Sequence, residues 1–235
     1  MKKINFDLEN MWEVIDTVLL DMDGTLLDKH FDDYFWERYV PEQYAVQKRI
    51  SVDEAKNKLL ALYKSREGTL EWTDLDFWSD QLELDIPGLK MQVDHLIQVH
   101  PYVVDFLKFC RLRQKKIYLV TNAHDKTLDI KLNKTAIGPY FDKFICSKDI
   151  GKAKEEAAFW DRLANKLQLD KQKTLLADDT EAVLQTAEQF GIKYLIFVAK
   201  PSSKSPVSYS ESFPSILYFK ELIAGGWSKQ LSYGR

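Results

Sequence analysis

The chain has 235 residues, a net charge of −3, a hydrophobic fraction of 45% and an aromatic fraction of 13%. That composition supports a buried core and excludes wholesale disorder. The mildly acidic balance excludes a general binder of nucleic-acid polymers or of anionic membranes.

The N-terminal stretch MKKINFDLENMWEV lacks the uninterrupted apolar run of a signal peptide, and no segment approaches transmembrane length. Both point to a soluble, cytoplasmic protein. The first expected strand, DTVLL (16–20), runs straight into Asp21-Met22-Asp23-Gly24-Thr25. Two acids one residue apart at the end of so apolar a strand cost stability unless something uses their carboxylates.

From residue 28 to about 95 no strand pattern follows, although a complete βαβ unit needs only about 30 residues. Helix starts occupy the interval instead. SVDE places Ser51 three residues before Glu54, and TDLD places Thr73 three before Asp76, both in the pattern of a capping box. IPG at 86–88 reads as a helix stop. The expectation is a helical cap, residues 28–95, inserted into an α/β core made of residues 1–27 and 96–235.

Beyond the insert, KFCRLRQKK reads as a solvated helix C-terminus, its cations favoured there by the helix dipole. The strand KIYLV (116–120) ends in Thr121-Asn122, and His124 just beyond reads as a surface histidine. A weaker strand, FDKFIC (141–146), leads into SKDIGKAKEE, a lysine-bearing loop that opens a helix. In AAFWDRLANKL, Phe159, Leu163 and Leu167 recur at helical spacing. KTLLA (173–177) ends in Asp178-Asp179-Thr180, and TEAVLQTAEQFG closes with Gly191 in the usual C-terminal cap position. KYLIFVA (193–199) is the last strand, followed by a Ser/Pro-rich surface loop over 199–215. Strands alternating with helices of this length imply a doubly wound, Rossmann-like, mostly parallel sheet. Cys110 and Cys146 sit in apolar contexts without zinc spacing and read as buried, reduced thiols.

In such sheets the ligand crevice lies outside the carboxyl ends of the strands. Asp21, Asp23, Asp178 and Asp179, the Thr121 hydroxyl and one lysine of the 147–156 loop are therefore expected to converge. Carboxylates so gathered repel one another unless a cation neutralises them, and oxygen-only ligands favour a hard ion, Mg²⁺ where phosphate is handled. A lysine and a hydroxyl opposite the metal suit a phosphate monoester. Asp21 then reads as a nucleophile and Asp23 as an acid/base protonated near neutrality. Gly24, Thr25 and Asn122, in the same strand-end turns, are expected to line the substrate phosphate.

The motifs DMDGT, Thr121, the lysine loop and ADDTEA resemble, in order, the four motifs of the haloacid dehalogenase-like phosphohydrolases. The resemblance implies that Asp21 is the nucleophile and Asp23 the acid/base. It also implies a metal held by the Asp21 carboxylate, the Asp23 backbone carbonyl and Asp179, with Asp178 beside it, and a C1-type cap formed by the insert. DTVLLDMDGTLLD, FDDYFWERYVPE, DLDFWSDQLELD, LVTNAH and ADDTEAVLQTAEQFGIKY further resemble the bacterial GMP/IMP nucleotidases of that superfamily, over about Trp12 to Ile223. That implies hydrolysis of purine nucleoside 5′-monophosphates. The chain departs from the family where a proline usually precedes the third-motif lysine: GKAKEE has Ala153 and two lysines. Lys154 is favoured because Trp160, six residues on, supplies the apolar anchor usual in the motif; Lys152 is the alternative.

Most aromatics of the insert, among them Trp72, Phe77 and Trp78, are needed as its core. Tyr34 and Trp36 follow the hinge and are the expected base contacts. Competing functional readings are a phosphatase for phosphoglycolate or a sugar phosphate, a phosphoglucomutase-like transferase, and a binding module with a dead site. The sequence carries no expectation about oligomeric state.

Overall fold

A computed structural model describes residues 7–223. Six parallel strands form one sheet in the order β3-β2-β1-β4-β5-β6. They are β1 (Thr17–Leu20), β2 (Lys116–Thr121), β3 (Lys143–Cys146), β4 (Thr174–Asp178), β5 (Tyr194–Val198) and β6 (Ser215–Ile216). In β1, β4 and β5 every residue is buried, as expected for strands covered on both faces.

The strand pleat sends alternate residues to opposite layers. Val18 and Leu20 join a core with Trp12 of α1 (Leu8–Val14) and Phe106 of α7 (Val103–Leu112). Leu19 joins a second core with Trp160 of α10 (Ala157–Leu167) and Leu184 of α11 (Glu181–Phe190). Gly191 ends α11 at φ +105, the left-handed cap its position predicts. The chain steps from β1 outward to β3, then returns across β1 to β4. The topological switch point therefore lies between β1 and β4, with Leu20 paired to Ala177 and the next residues, Asp21 and Asp178, facing the same crevice.

The interval between β1 and α7 is helical. It comprises α2 (His30–Tyr34), a widened π-turn over Phe35–Tyr39, α3 (Val40–Lys48), α4 (Val52–Lys64), α5 (Leu75–Leu82) and α6 (Ile86–Gln92). The π-turn precedes Pro41, which has no N–H to donate to Glu37 and whose ring would crowd that carbonyl in a regular helix. The chain leaves and re-enters the core at adjacent points. Asp28 N donates to Gln98 O, His100 N donates to Leu26 O, and Leu27 pairs antiparallel with Val99.

Three local expectations are corrected. Ser51 does cap α4, accepting from Glu54 N at 3.2 Å, but α5 is capped by Asp74 rather than Thr73. A 3₁₀ turn over Leu70–Thr73 leaves Asp74 as the first extended residue, and its carboxylate accepts from Asp76 N and Phe77 N. IPG starts a helix instead of stopping one: Asp85 caps α6 and Pro87 occupies its first turn, where a missing N–H costs nothing. The Ser/Pro-rich stretch is no free surface loop. Ser202, Ser210 and Phe213 are buried, Ser203 N donates to Asp28, and the stretch ends in β6. Cys110 and Cys146 are buried and free. Among the described residues no helix is long and apolar enough to cross a membrane.

Candidate active site

Each strand of the switch point delivers a carboxylate at its end. Asp21 follows β1, its N–H held by Ala177 O at 3.1 Å, and Asp178 closes β4. Lys154 Nζ lies between them, 2.5 Å from Asp21 Oδ1 and 2.7 Å from Asp178 Oδ2, and also reaches Val120 O. Lys152 lies outside this group in an exposed ion pair with Glu156.

The loop that places Lys154 is fixed without a proline. Lys154 N donates to Asn122 Oδ1 at 3.0 Å, and Trp160 Nε1 donates to Lys154 O at 2.8 Å. Ala153 N donates to Glu156 Oε1, a bond that a proline there could not make. Asn122 thus serves the loop, and its Nδ2 also donates to Glu155. Thr121 Oγ1 accepts from Ala123 N, which leaves the hydroxyl hydrogen free to donate.

Gly24 sits at φ +85, and a Cβ there would lie 2.4 Å from Asp179 Oδ2. Only glycine allows the turn after β1 to pass so close to Asp179. Thr25 is buried beside it, and its Oγ1 has no hydrogen-bond partner among the described residues.

Asp21, Asp178 and Asp179 each offer an oxygen within 4.8 Å of the others. Burial pushes Asp21 up to about 6, with Lys154 opposing and Asp178 adding to the rise. Burial likewise pushes Asp179 up to about 6 against the pull of Lys29, and it raises Asp178. Crowded oxygen donors that resist ionisation fit a small hard cation, which would remove the repulsion.

Asp23 turns away from this group. Its Oδ1 accepts from Lys131 Nζ at 2.5 Å, and burial raises it to about 6 although Lys131 opposes. Its carboxylate is not among the clustered oxygens, so of the four acids it alone is left for proton transfer.

A cavity of about 640 Å³ opens above these groups. Asp21, Asp23, Lys154 and Asp179 lie at one end, Thr121 and Asn122 beside them, and Trp36, Tyr63 and Trp72 of the insert face it. Tyr34 is not among the lining residues. Asp32, Asp33, Trp36 and Glu37 line the cavity, so position 34 lies on the other side of the helix, where its ring stacks on Tyr39 at 6.3 Å. Trp78 packs against Trp36, Tyr63 and Trp72, as an aromatic core of the insert requires.

His124 is not on the surface. It is 3% exposed, caps α8 (Asp125–Thr135) through Nδ1 and Lys126 N, and lies 3.3 Å from Asp74 of the insert. Sequence reasoning also missed Asp32, Lys90 and Lys131. A signal existed: Lys90 is four residues from Ile86 and Lys131 three from Leu128, so both lysines fall on buried helix faces.

A family model described as haloacid dehalogenase-like hydrolase matches residues 15–191. The chain is 36% identical over 212 residues to the GMP/IMP nucleotidase YrfG of Escherichia coli (strain K12), covering 90% of this chain and 96% of that protein. The Shigella flexneri protein of the same name matches equally. Among solved structures, the HAD phosphatase from Thermococcus onnurineus superposes with a TM-score of 0.75 at 23% identity, over 88% of this chain and 96% of that one. The defluorinating L-2-haloacid dehalogenase Rha0230 gives 0.60 at 18% identity, over 89% and 94%. Both share the fold with this chain.

Proposed function

The chain belongs to the haloacid dehalogenase-like hydrolase family, and on that premise we propose that it is a cytoplasmic, Mg²⁺-dependent phosphomonoesterase cleaving purine nucleoside 5′-monophosphates, GMP and IMP foremost. The observation that carries this reading is the sharing of one ammonium, Lys154, by Asp21 and Asp178 at the end of an aromatic-lined cavity. A dianionic ester entering that cavity meets a nucleophile already beside the cation that stabilises its oxygens. The 36% identity to the GMP/IMP nucleotidases over 90% of the chain supports the choice of ester.

The reaction proceeds in two displacements. An Asp21 oxygen attacks phosphorus as the P–O ester bond breaks, and Asp23 gives its proton to the departing nucleoside oxygen. Water, deprotonated by Asp23, then attacks the aspartyl phosphate, releasing inorganic phosphate and restoring Asp21. A carboxyl raised to about 6 suits both halves of that proton exchange near neutrality. Lys154 and the Thr121 hydroxyl hold the phosphoryl oxygens. Asp21, Asp179, Asp178 and the Asp23 carbonyl are the groups that would hold Mg²⁺, whose charge offsets repulsion between the acids and the phosphate. The insert acts as a cap that excludes bulk water from the acyl phosphate.

Phosphate release from a panel of esters, with and without Mg²⁺, tests the reading. Turnover of GMP and IMP above phosphoglycolate and sugar phosphates is expected, and it should vanish in metal-stripped buffer. Equal rates across the panel would discard the nucleotidase while leaving a phosphatase.

A further inference from the structure

Along one wall of the cavity runs a chain of four charges, Asp23 and three that the reaction above leaves unused. Lys131 of α8 donates to Asp23 Oδ1 at 2.5 Å and to Asp32 Oδ2 at 2.5 Å. The other oxygen of Asp32 accepts from Lys90 Nζ at 2.9 Å. Both lysines are 1% exposed. Lys90 sits over the rings of Phe31, Phe35 and Trp36, and Lys131 over Phe31.

The order of the chain is informative. Asp23 belongs to the loop after β1, Lys131 to a core helix, Asp32 to the first helix of the insert and Lys90 to its last. Two acids and two bases alternate, so the row is electrically balanced at each step. Burying two ammonium groups is expensive, and hydrophobic residues of similar volume are often as stabilising or more so. A structural account of the row is therefore weak, and its geometry suggests another. Lys131 is not among the residues that line the cavity, so it acts on a substrate through the two acids it holds, and of these Asp23 is the one assigned to proton transfer. It bonds Asp23 at Oδ1, which leaves Oδ2 as the oxygen to carry the transferred proton.

We propose that Lys131 is a positioning residue for the Asp23 carboxyl, held in place by Asp32 and Lys90 of the insert, so that Asp23 is aimed at the leaving oxygen only when the insert is seated on the core. The proposal rests on the phosphomonoesterase reading. Proton donation matters when the departing alkoxide is a poor leaving group and matters little for nitrophenolate, which leaves without a proton. Loss of the aim should therefore be selective in the first displacement, whereas the water attack that Asp23 also assists is common to every ester and loss of fold slows all steps alike.

The test compares a nucleoside 5′-monophosphate with p-nitrophenyl phosphate as substrates for Lys131→Met, with activity normalised to the folded fraction from circular dichroism. The expected result is a fall of about 100-fold in the single-turnover rate of nucleoside release, the low end of acid–base contributions, with single-turnover release of nitrophenolate within about 5-fold of wild type. Lys90→Met, two links further out, should show the same selectivity at smaller size. If Lys131→Met does not fold, Lys131→Arg decides: it keeps the charge but shifts the donor, and the nucleotide should again suffer more. Equal loss in the release of both leaving groups, or no loss in folded protein, overturns the proposal. Wild-type protein inactive on every phosphate ester would instead overturn the functional reading beneath it.

Discussion

Two lysines, Lys154 and Lys131, follow one plan in two regions. Each is buried and each donates to two carboxylates, one of them an acid of the loop after β1. All partners of Lys154 lie at strand ends of the core. Those of Lys131 lie on either side of the seam between core and insert. The difference separates two tasks: a charge that must never move relative to phosphorus is anchored in the sheet, whereas an orientation that should depend on the insert is anchored across the seam.

Asp21→Asn gives the largest expected effect. Loss of the nucleophile should lower turnover by at least about 10⁴-fold on every ester, as for other residues that form the covalent intermediate. Phosphate release at matched folded fraction measures it, and near-native turnover would remove Asp21 from the reaction. Lys154→Met comes next. Its kcat should fall by about 10²–10³-fold, the scale of one lost stabilising donor, and by the same factor on alkyl and nitrophenyl esters. A dependence on leaving group like that expected at Lys131 would mean that both lysines do one job, and the contrast would collapse.

Trp36→Ala probes the insert side of the cavity. One stacking partner for a base is worth about 1–3 kcal/mol, so KM for GMP should rise about 10-fold while p-nitrophenyl phosphate, which has no purine, is spared. An unchanged KM would leave Tyr63 and Trp72 as the rings to test.

The smallest effect is a pH-dependent stabilisation by Mg²⁺ in thermal unfolding. Asp21 and Asp179 are raised to about 6 by burial, above their ordinary value of 3.8. Between those values the folded chain binds more protons than the unfolded one, so stability falls as pH rises through the window, and the full penalty stands above it. A cation that replaces the protons should therefore raise the unfolding midpoint by a few degrees at about pH 7.5 and much less at about pH 5. Equal shifts at both would place the ion elsewhere.

The contrast also explains what could be read from residues alone. Strand ends are legible because an apolar run stopping at Asp21, Thr121 or Asp178 marks both the element and its crevice-facing terminus, and apolar runs alone mark β3 and β5. β6 is not so marked, because two residues, Ser215 and Ile216, carry no period. Lys154 was separable from Lys152 through Trp160, whose indole the structure shows bonded to the Lys154 carbonyl. The row at the seam was not legible: Asp23, Asp32, Lys90 and Lys131 come from four segments, and nothing short of the packed structure brings them together. The burial of His124 is not legible for the same reason, since Asp74 reaches it from the distant insert. Tyr34 lies near the hinge in sequence, but helix phase turns it away from the crevice and onto Tyr39.

The short ladder joining Leu26–Asp28 to Gln98–His100 has a consequence for how such molecules diversify. Because the outgoing and returning backbones lie side by side, anything between them can be exchanged for a longer, shorter or differently shaped module without stretching the sheet. Closing a loop whose ends already touch adds only a slowly growing entropic cost with length. New specificity can thus be tried at that doorway while the chemistry behind it is inherited intact.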